Sequence, residues 1–266
     1  MRRFLAFALI GMALSLGLPT GALSQRAPQA ERFRLEPHRP GQADVYILSF
    51  GLWGPQSVFE SEAKGAARIL EQQLGSRGRT IVLSNTKRRS DATPDALFSA
   101  AGAVGRTLDP EEDILLLVLT SHGSPDGIGL VSRRDEGVMT PDMVRELLAE
   151  TKARNRVLIV SACYSGIFAK ELADERTLVI TAAAADRPSF GCQDGATWTY
   201  FGDAFFNKAL RNAPRLDDAF DRAKRFVTAR EKREGFDPSE PQIAGGGQVL
   251  ERLASRCAML RPQRTC

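Results

Sequence analysis

Two continuous runs of apolar residues are the strongest hydrophobic signals in the chain. Residues 114–119 are all Ile, Leu or Val and are followed closely by His122, and residues 157–160 are followed closely by Cys163. A strand that is buried on both faces of a parallel sheet carries such a run, whereas a strand with one solvated face alternates apolar and polar positions. Both segments are therefore predicted to be central parallel strands.

Shorter apolar and amphipathic segments extend this pattern. It predicts strands over residues 45–50, 80–83, 113–120, 156–161 and 177–183, and helices over residues 57–74, 94–108, 141–153, 201–212 and 216–234. Ser57 and Glu60 have the spacing of a capping box at the start of the first helix. Thr93 and Thr140 each precede a proline at a helix start. The three glycines at 245–247 predict a flexible loop. Alternating strands and helices with right-handed crossovers predict an α/β fold with a doubly wound parallel sheet.

The first 24 residues have the pattern of a secretory leader. Arg2 and Arg3 precede an apolar stretch from Phe4 to Leu18, and small residues predict cleavage after Ser24. The alternative is an uncleaved anchor, although the stretch is shorter than the roughly 20 residues that a membrane span needs. We expect a signal peptide at 1–24, a periplasmic or secreted mature protein, and no later membrane span.

Composition adds little to this picture. Residues 25–42 are rich in Pro, Arg and Gln and are predicted to be a flexible linker, which leaves residues 43–266 as one domain. Two of the 36 basic residues lie in the leader, so 34 basic residues stand against 32 acidic ones. This balance, without an aromatic-studded basic stripe, argues against a nucleic-acid partner. Neither metal-ligand spacing nor a glycine-rich phosphate loop is present, so no metal and no cofactor are expected.

His122 and Cys163 are the candidate catalytic residues. Reactive groups of open α/β sheets lie just past the carboxyl ends of the strands. A cysteine there is most often a small core residue, but Cys163 precedes a predicted helix start at Gly166, a position that favours the thiolate. The only other histidine, His38, lies in the predicted linker, so His122 is the imidazole available as a base. Gly123 follows it and allows a backbone N–H to approach an oxyanion.

The four cysteines fit an oxidising compartment. Cys257 and Cys266 enclose a short C-terminal stretch and are candidates for a disulfide bridge. A reactive Cys163 must stay free, which leaves Cys192 as the odd cysteine and predicts a buried thiol there.

Four short segments around these residues carry a family resemblance. They are Ser121-His122-Gly123, Ala162-Cys163, Ser189-Phe190-Gly191-Cys192 and Tyr200-Phe201-Gly202-Asp203. Together they resemble the legumain family of caspase-like cysteine peptidases, over about residues 43–213. The chain departs from the family's pattern at Tyr164 and Ser121, where acidic residues are usual, and it carries no arginine in residues 51–57, where the family has a pocket arginine.

The resemblance implies a fold and a set of site residues. The implied fold is a caspase-like three-layer α/β sandwich with a mostly parallel central sheet flanked by helices. His122 and Cys163 match the catalytic pair, and the backbone N–H groups of Gly123 and Cys163 match the oxyanion site. Ser189 and Asp203 match residues that line the specificity pocket. The structural alternatives for these two are a turn residue at Ser189 and a helix N-cap at Asp203.

These expectations define a cysteine endopeptidase acting on peptides or proteins through an acyl-enzyme. In this geometry the imidazole serves mainly to protonate the leaving amine. Either water or an amine then resolves the acyl-enzyme, so hydrolysis and transpeptidation share one site. The competing hypothesis is a non-catalytic caspase-like module that binds a peptide strand. The sequence does not indicate an oligomeric state.

Overall fold

The computed structural model describes residues 33–213 and 215–260, with side chains up to residue 256. The strands are β1 (Val45–Gly51), β2 (Thr80–Ser84), β3 (Ile114–Thr120), β4 (Gly123–Ser124), β5 (Gly127–Val131), β6 (Glu136–Met139), β7 (Asn155–Ser161), β8 (Thr177–Thr181) and β9 (Gln242–Ala244). The helices are α1 (Ser57–Leu74), α2 (Pro94–Gly105), α3 (Pro141–Glu150), α4 (Gly166–Leu172), α5 (Tyr200–Gly202), which continues as a π-helical stretch (Asp203–Ala209), α6 (Leu216–Glu234) and α7 (Gly247–Leu260).

The central sheet has six strands in the order β2-β1-β3-β7-β8-β9. All neighbours are parallel except β9, which runs antiparallel to β8 at the edge. Every residue of β1 and β3 is buried. The sheet is therefore mostly parallel and covered on both faces, as the continuous apolar runs predict.

Alternate residues of each strand supply two separate cores. Tyr46 and Leu48 of β1 belong to the core shared with α2, α3 and α4. Val45 and Ile47 belong to the opposite core, shared with α1, α6 and α7. Side chains of a strand point alternately to its two faces, so one sheet between two helical layers results. This arrangement confirms the expected three-layer α/β sandwich.

A second, smaller sheet was not predicted. Strands β4, β5 and β6 form an antiparallel meander directly after His122, and the N–H of Gly129 donates to the carbonyl of His122. The strands are only two to five residues long and contain glycines, which have low β-propensity. Their pattern therefore carried too little hydrophobic signal to be recognised.

The start of α1 differs from the predicted capping box. Gln56 occupies the N-cap without a side-chain cap bond, and both the N–H and the hydroxyl of Ser57 donate to the carboxylate of Asp194. Glu60 pairs with Lys64 instead. A carboxylate distant in sequence, which a local pattern cannot reveal, thus satisfies the first turn of the helix.

The glycines at 245–247 are also more ordered than the predicted flexible loop. Gly246 donates its N–H to the carbonyl of Asp174 at 2.7 Å, Gln248 donates to that of Glu175, and α7 begins at Gly247. The turn before β8 therefore holds this short connection in place.

The described part of the predicted linker, residues 33–42, packs against the domain. Glu36 bonds through its N–H to the carbonyl of Gly78 and accepts the hydroxyl of Tyr46. His38 bonds to the carboxylate of Asp113 at the start of β3. Residues 25–32, the predicted leader 1–24 and Cys266 lie outside the described residues. Within the described ranges, no helix is both long and apolar enough to cross a membrane.

We expect Asn85 to be a key stabilising residue of the β2–α2 connection. It is fully buried, donates to the carbonyls of Leu52 and Ala92, and accepts the N–H of Ala92. Asn85→Ala removes these partners from the N–H and carbonyl of Ala92, whereas the carbonyl of Leu52 keeps the N–H of Val131. Each buried orphan costs about 1–3 kcal/mol. Urea titration should therefore show a loss of roughly 3 kcal/mol in unfolding free energy, whereas the exposed control Asn212→Ala should change it by less than about 0.5 kcal/mol.

Candidate active site

The register between β3 and β7 brings His122 and Cys163 to the same end of the sheet. Thr120, the last residue of β3, pairs with Ser161, the last residue of β7. Each candidate catalytic residue follows two positions later in its strand-end loop. The two strands are adjacent and parallel, so the sequence-predicted pair is at one sheet edge, the usual location of sites in open α/β sheets.

His122 is held by two aromatic rings. Its imidazole packs edge-on against Trp53, with centroids 4.7 Å apart, and against Phe59, with centroids 5.0 Å apart. Burial lowers the pKa of His122 from its ordinary value, because desolvation disfavours the charged imidazolium. The ring is therefore neutral at pH 7 and available to accept a proton.

Gln56 fixes which imidazole nitrogen accepts that proton. Its side-chain amide Nε2 donates to the carbonyl of Cys192 at 2.7 Å, so its Oε1 faces His122 Nε2 and accepts a hydrogen bond from it. A neutral imidazole has one N–H, and the partner of that N–H sets the tautomer. His122 consequently carries its proton on Nε2, which leaves Nδ1 as the basic nitrogen.

Cys163 lies on a tight turn between β7 and α4. Tyr164, the next residue, has a φ of 55°, and its N–H donates to the carbonyl of Arg187. A non-glycine residue in the left-handed region is uncommon and persists where the surroundings impose it. The turn leaves Cys163 only partly buried, so its sulfur is within reach of a ligand.

Ser189 provides the contacts to the sulfur. Its N–H lies 3.2 Å and its hydroxyl 3.7 Å from Cys163 Sγ, and its carbonyl oxygen lies 3.4 Å away. The two donors are arranged to stabilise negative charge on the sulfur. The sequence-predicted pocket residue Ser189 is thus in direct contact with the nucleophile candidate.

Gly123 lies where backbone segments come unusually close. A Cβ at this position would overlap the carbonyl group of Cys163, so only glycine fits between the β4 strand and the Cys163 turn. The main chains of the two predicted oxyanion residues, Gly123 and Cys163, are therefore direct neighbours.

The carboxylate of Asp203 is bonded within its own helix. Its carboxylate accepts hydrogen bonds from Asn207 and Lys208 of its own π-helical stretch. Burial raises its pKa, but these bonds and the nearby charges of Lys208 and Arg230 outweigh burial, so the pKa of Asp203 is lowered overall. The predicted pocket carboxylate is therefore neutralised by its own helix and by α6. The N-cap of that helix is Thr199 rather than Asp203.

Glu62 is a site residue that the sequence analysis missed. This fully buried carboxyl of α1 accepts the hydroxyl of Thr120 and both the N–H and hydroxyl of Thr199, each at 2.8 Å. Ser161 lies 3.1 Å from the Thr199 hydroxyl. Burial raises the pKa of Glu62 despite these hydrogen bonds. A carboxyl within the apolar stripe of an amphipathic helix was the available sequence signal.

The second thiol near the site is less reactive by environment. Cys192 is partly buried and free, and burial, followed by the proximity of Cys163, raises its pKa. It is therefore mostly protonated at neutral pH. The predicted bridge between Cys257 and Cys266 lies outside the described side chains.

One group of metal-type ligands occurs at the opposite end of the sheet. Ligand atoms of His38, Asp44 and Asp113 lie within 4.8 Å of one another. Asp44, however, is paired with the guanidinium groups of Arg39 and Arg79. Positive charges already occupy the position that a cation would need, so the group is an ion-pair network that fastens residues 33–42.

The fold, the strand-end pair and the sulfur contacts define a caspase-like cysteine peptidase architecture. Residues 97–246, more than half of the chain, match the Peptidase C13 family, and the chain therefore belongs to this family, that of legumain. Members of the family are cysteine peptidases whose substrates are proteins. No curated protein matches the chain.

We expect His122 to exist as the Nε2–H tautomer at pH 7 and to titrate below its ordinary pKa. Nitrogen-15 NMR of the imidazoles measures both properties. Gln56→Ala removes the acceptor that fixes the tautomer, so His122 should then populate both neutral forms. The signals of His38, bonded to Asp113 at the other end of the sheet, serve as the control and should not move. An Nδ1–H tautomer in the unsubstituted protein would contradict the assignment.

Proposed function

We propose that the protein is a cysteine endopeptidase in which Cys163 is the nucleophile and His122 transfers the proton. The observation that carries the proposal is the shared sheet edge: the β3–β7 register puts both residues two positions past paired strand ends. The donors of Ser189 at the sulfur support the same assignment.

Each proton has a carrier in this geometry. As Cys163 Sγ attacks the scissile carbonyl carbon, its proton passes to Nδ1 of His122, the nitrogen that the Gln56 bond leaves free. When the C–N bond breaks, Nδ1–H protonates the leaving amine and a thioester remains. Water then attacks the thioester and gives a proton to Nδ1. As the C–S bond breaks, Nδ1–H returns this proton to Sγ, which releases the carboxylic acid and regenerates the thiol.

The oxyanion of each tetrahedral intermediate is stabilised by the backbone N–H groups of Gly123 and Cys163. The close approach of these two segments supports this role, since donors held rigidly by the fold need no reorganisation as charge develops. An amine that replaces water in the second step gives a new peptide bond, so transpeptidation uses the same groups.

Ser189 lines the pocket beside the sulfur and favours a substrate side chain that forms hydrogen bonds. Asp203 contributes less than the family resemblance implies, because Asn207 and Lys208 occupy its carboxylate. The secretory pattern of residues 1–24 supports a periplasmic or secreted location for this activity.

Cys163→Ala should abolish peptide cleavage, with a loss of roughly a thousandfold or more, since removal of a nucleophile disables both steps.

Mass mapping after iodoacetamide treatment should find Cys163 modified faster than Cys192, because burial raises the pKa of the Cys192 thiol. His122→Ala should leave measurable alkylation of Cys163 but remove turnover, because the leaving amine stays unprotonated.

Cys192→Ala is the matched control and should retain cleavage. If folded protein resists alkylation at Cys163 and Cys163→Ala keeps full activity, the peptidase proposal is wrong. Peptide binding without cleavage in the unsubstituted protein would favour the alternative, a non-catalytic caspase-like binding module.

A further inference from the structure

Three aromatic rings form a cluster beside the Cys163 loop. Phe190, which follows the sulfur-contacting Ser189, stacks on Phe236 with ring centroids 4.3 Å apart and planes 19° apart. Tyr200 packs against both rings at 6.1–6.4 Å. We refer to Phe190, Tyr200 and Phe236 as the aromatic platform.

Phe236 and the half-buried Phe190 present an apolar surface to solvent, whereas Tyr200 is buried. Phe236 is 40% exposed, and across the described ranges it is one of only three large apolar side chains with such exposure, the others being Val138 and Phe226. Phe236 stacks on Phe190, the neighbour of the sulfur-contacting Ser189, so its exposed ring is available to a ligand that reaches Cys163. Phe236 adds little to either core, because neither core includes it.

Neighbouring groups hold the platform in place without a ligand. Gly235 ends α6 in the left-handed conformation, and the N–H of Phe236 donates to the carbonyl of Glu231. The guanidinium of Arg230 lies 3.4 Å above the Tyr200 ring, and Glu234 accepts the Tyr200 hydroxyl. A surface that is already ordered loses little conformational entropy on binding.

The order of strands shows which half of a substrate reaches the platform. His122 follows β3, which lies on one side of β7. The segment that contains Phe236 leads into β9, on the other side of β7. In this segment the carbonyl of Ser239 accepts the N–H of Ala184, just after β8. The leaving amine must lie toward His122, which protonates it. The acyl half of the substrate therefore lies toward β8, β9 and the platform.

We propose that the aromatic platform is a substrate subsite for an apolar side chain located two to four residues before the cleaved bond. The occupant is apolar because the exposed part of the platform is phenylalanine side chain, whereas the Tyr200 ring is buried and is covered on one face by Arg230. It precedes the cleaved bond because the opposite side of Cys163 belongs to the leaving group. The subsite rests on the proposed peptidase function and adds to it a class of preferred substrate.

The test is cleavage profiling of a peptide library made from a tryptic digest of denatured bacterial proteins, with mass spectrometry to locate the cleaved bonds. The unsubstituted protein should enrich Leu, Ile, Val, Phe or Met at one position two to four residues before the cut. A peptide pair that differs only there, Leu against Ser, should differ roughly tenfold in kcat/KM, the range for one apolar side chain in a pocket.

Two serine variants separate the subsite from general effects on the surface. Phe236→Ser should reduce the Leu-to-Ser ratio to near one. Phe226→Ser removes a similarly exposed phenylalanine, ten residues earlier along the chain in α6, and should keep the full ratio. Phe236→Leu retains an apolar surface and should keep most of the Leu-to-Ser ratio of the unsubstituted protein. Both positions are exposed, so melting temperatures should change little.

The outcomes distinguish the two proposals. Suppose that the protein cleaves peptides and that Cys163→Ala abolishes this cleavage. The subsite alone is then overturned if no apolar residue is enriched before the cut, or if Phe236→Ser and Phe226→Ser give equal Leu-to-Ser ratios. A change of oligomeric state in Phe236→Ser with an unchanged ratio identifies the platform as a contact between copies and also overturns it. Absence of any Cys163-dependent cleavage overturns the peptidase function, and the subsite with it.

Discussion

The parallel pairing of β3 with β7 is the constraint on which the site depends. Thr120 pairs with Ser161 at the ends of the two strands. His122 and Cys163 each follow two residues after this pair, so both lie at the same edge of the sheet. A shift of one residue would reverse which face every following side chain occupies. Both strands are buried on the two faces, and this burial makes such a shift costly. The core therefore sets the geometry of the chemistry.

Glu62 reinforces this register through hydrogen bonds at the end of β3. Its two oxygens join the end of β3 through Thr120 to the loop before α5 through Thr199. Its raised pKa shows that the hydrogen bonds do not fully offset the cost of burying the carboxylate. An apolar residue at that position would connect neither segment, and it would remove the acceptor of the Thr120 hydroxyl and of the Thr199 N–H. Glu62 thus holds together two segments that adjoin the site.

The sequence was informative where burial or close packing leaves a strong pattern. The apolar runs predicted β3 and β7, and their carboxyl ends predicted the location of His122 and Cys163. The role of Gln56 was beyond its reach, because Gln56 acts through a bond to a loop 136 residues away. Short strands such as β4–β6 are defined by pairing partners rather than by their own composition. Tertiary contacts, not local preference, decide all of these features.

The docking of residues 33–42 has a practical consequence for how the molecule is handled. His38 is fastened to Asp113 at the start of β3, whereas the candidate site lies past the other end of that seven-residue strand, roughly 20 Å away at 3.3 Å per residue. The exposed residues 39–41 therefore lie near the end of the sheet opposite the site. A surface or bead attached through one of them would hold the molecule with the site directed away from the support.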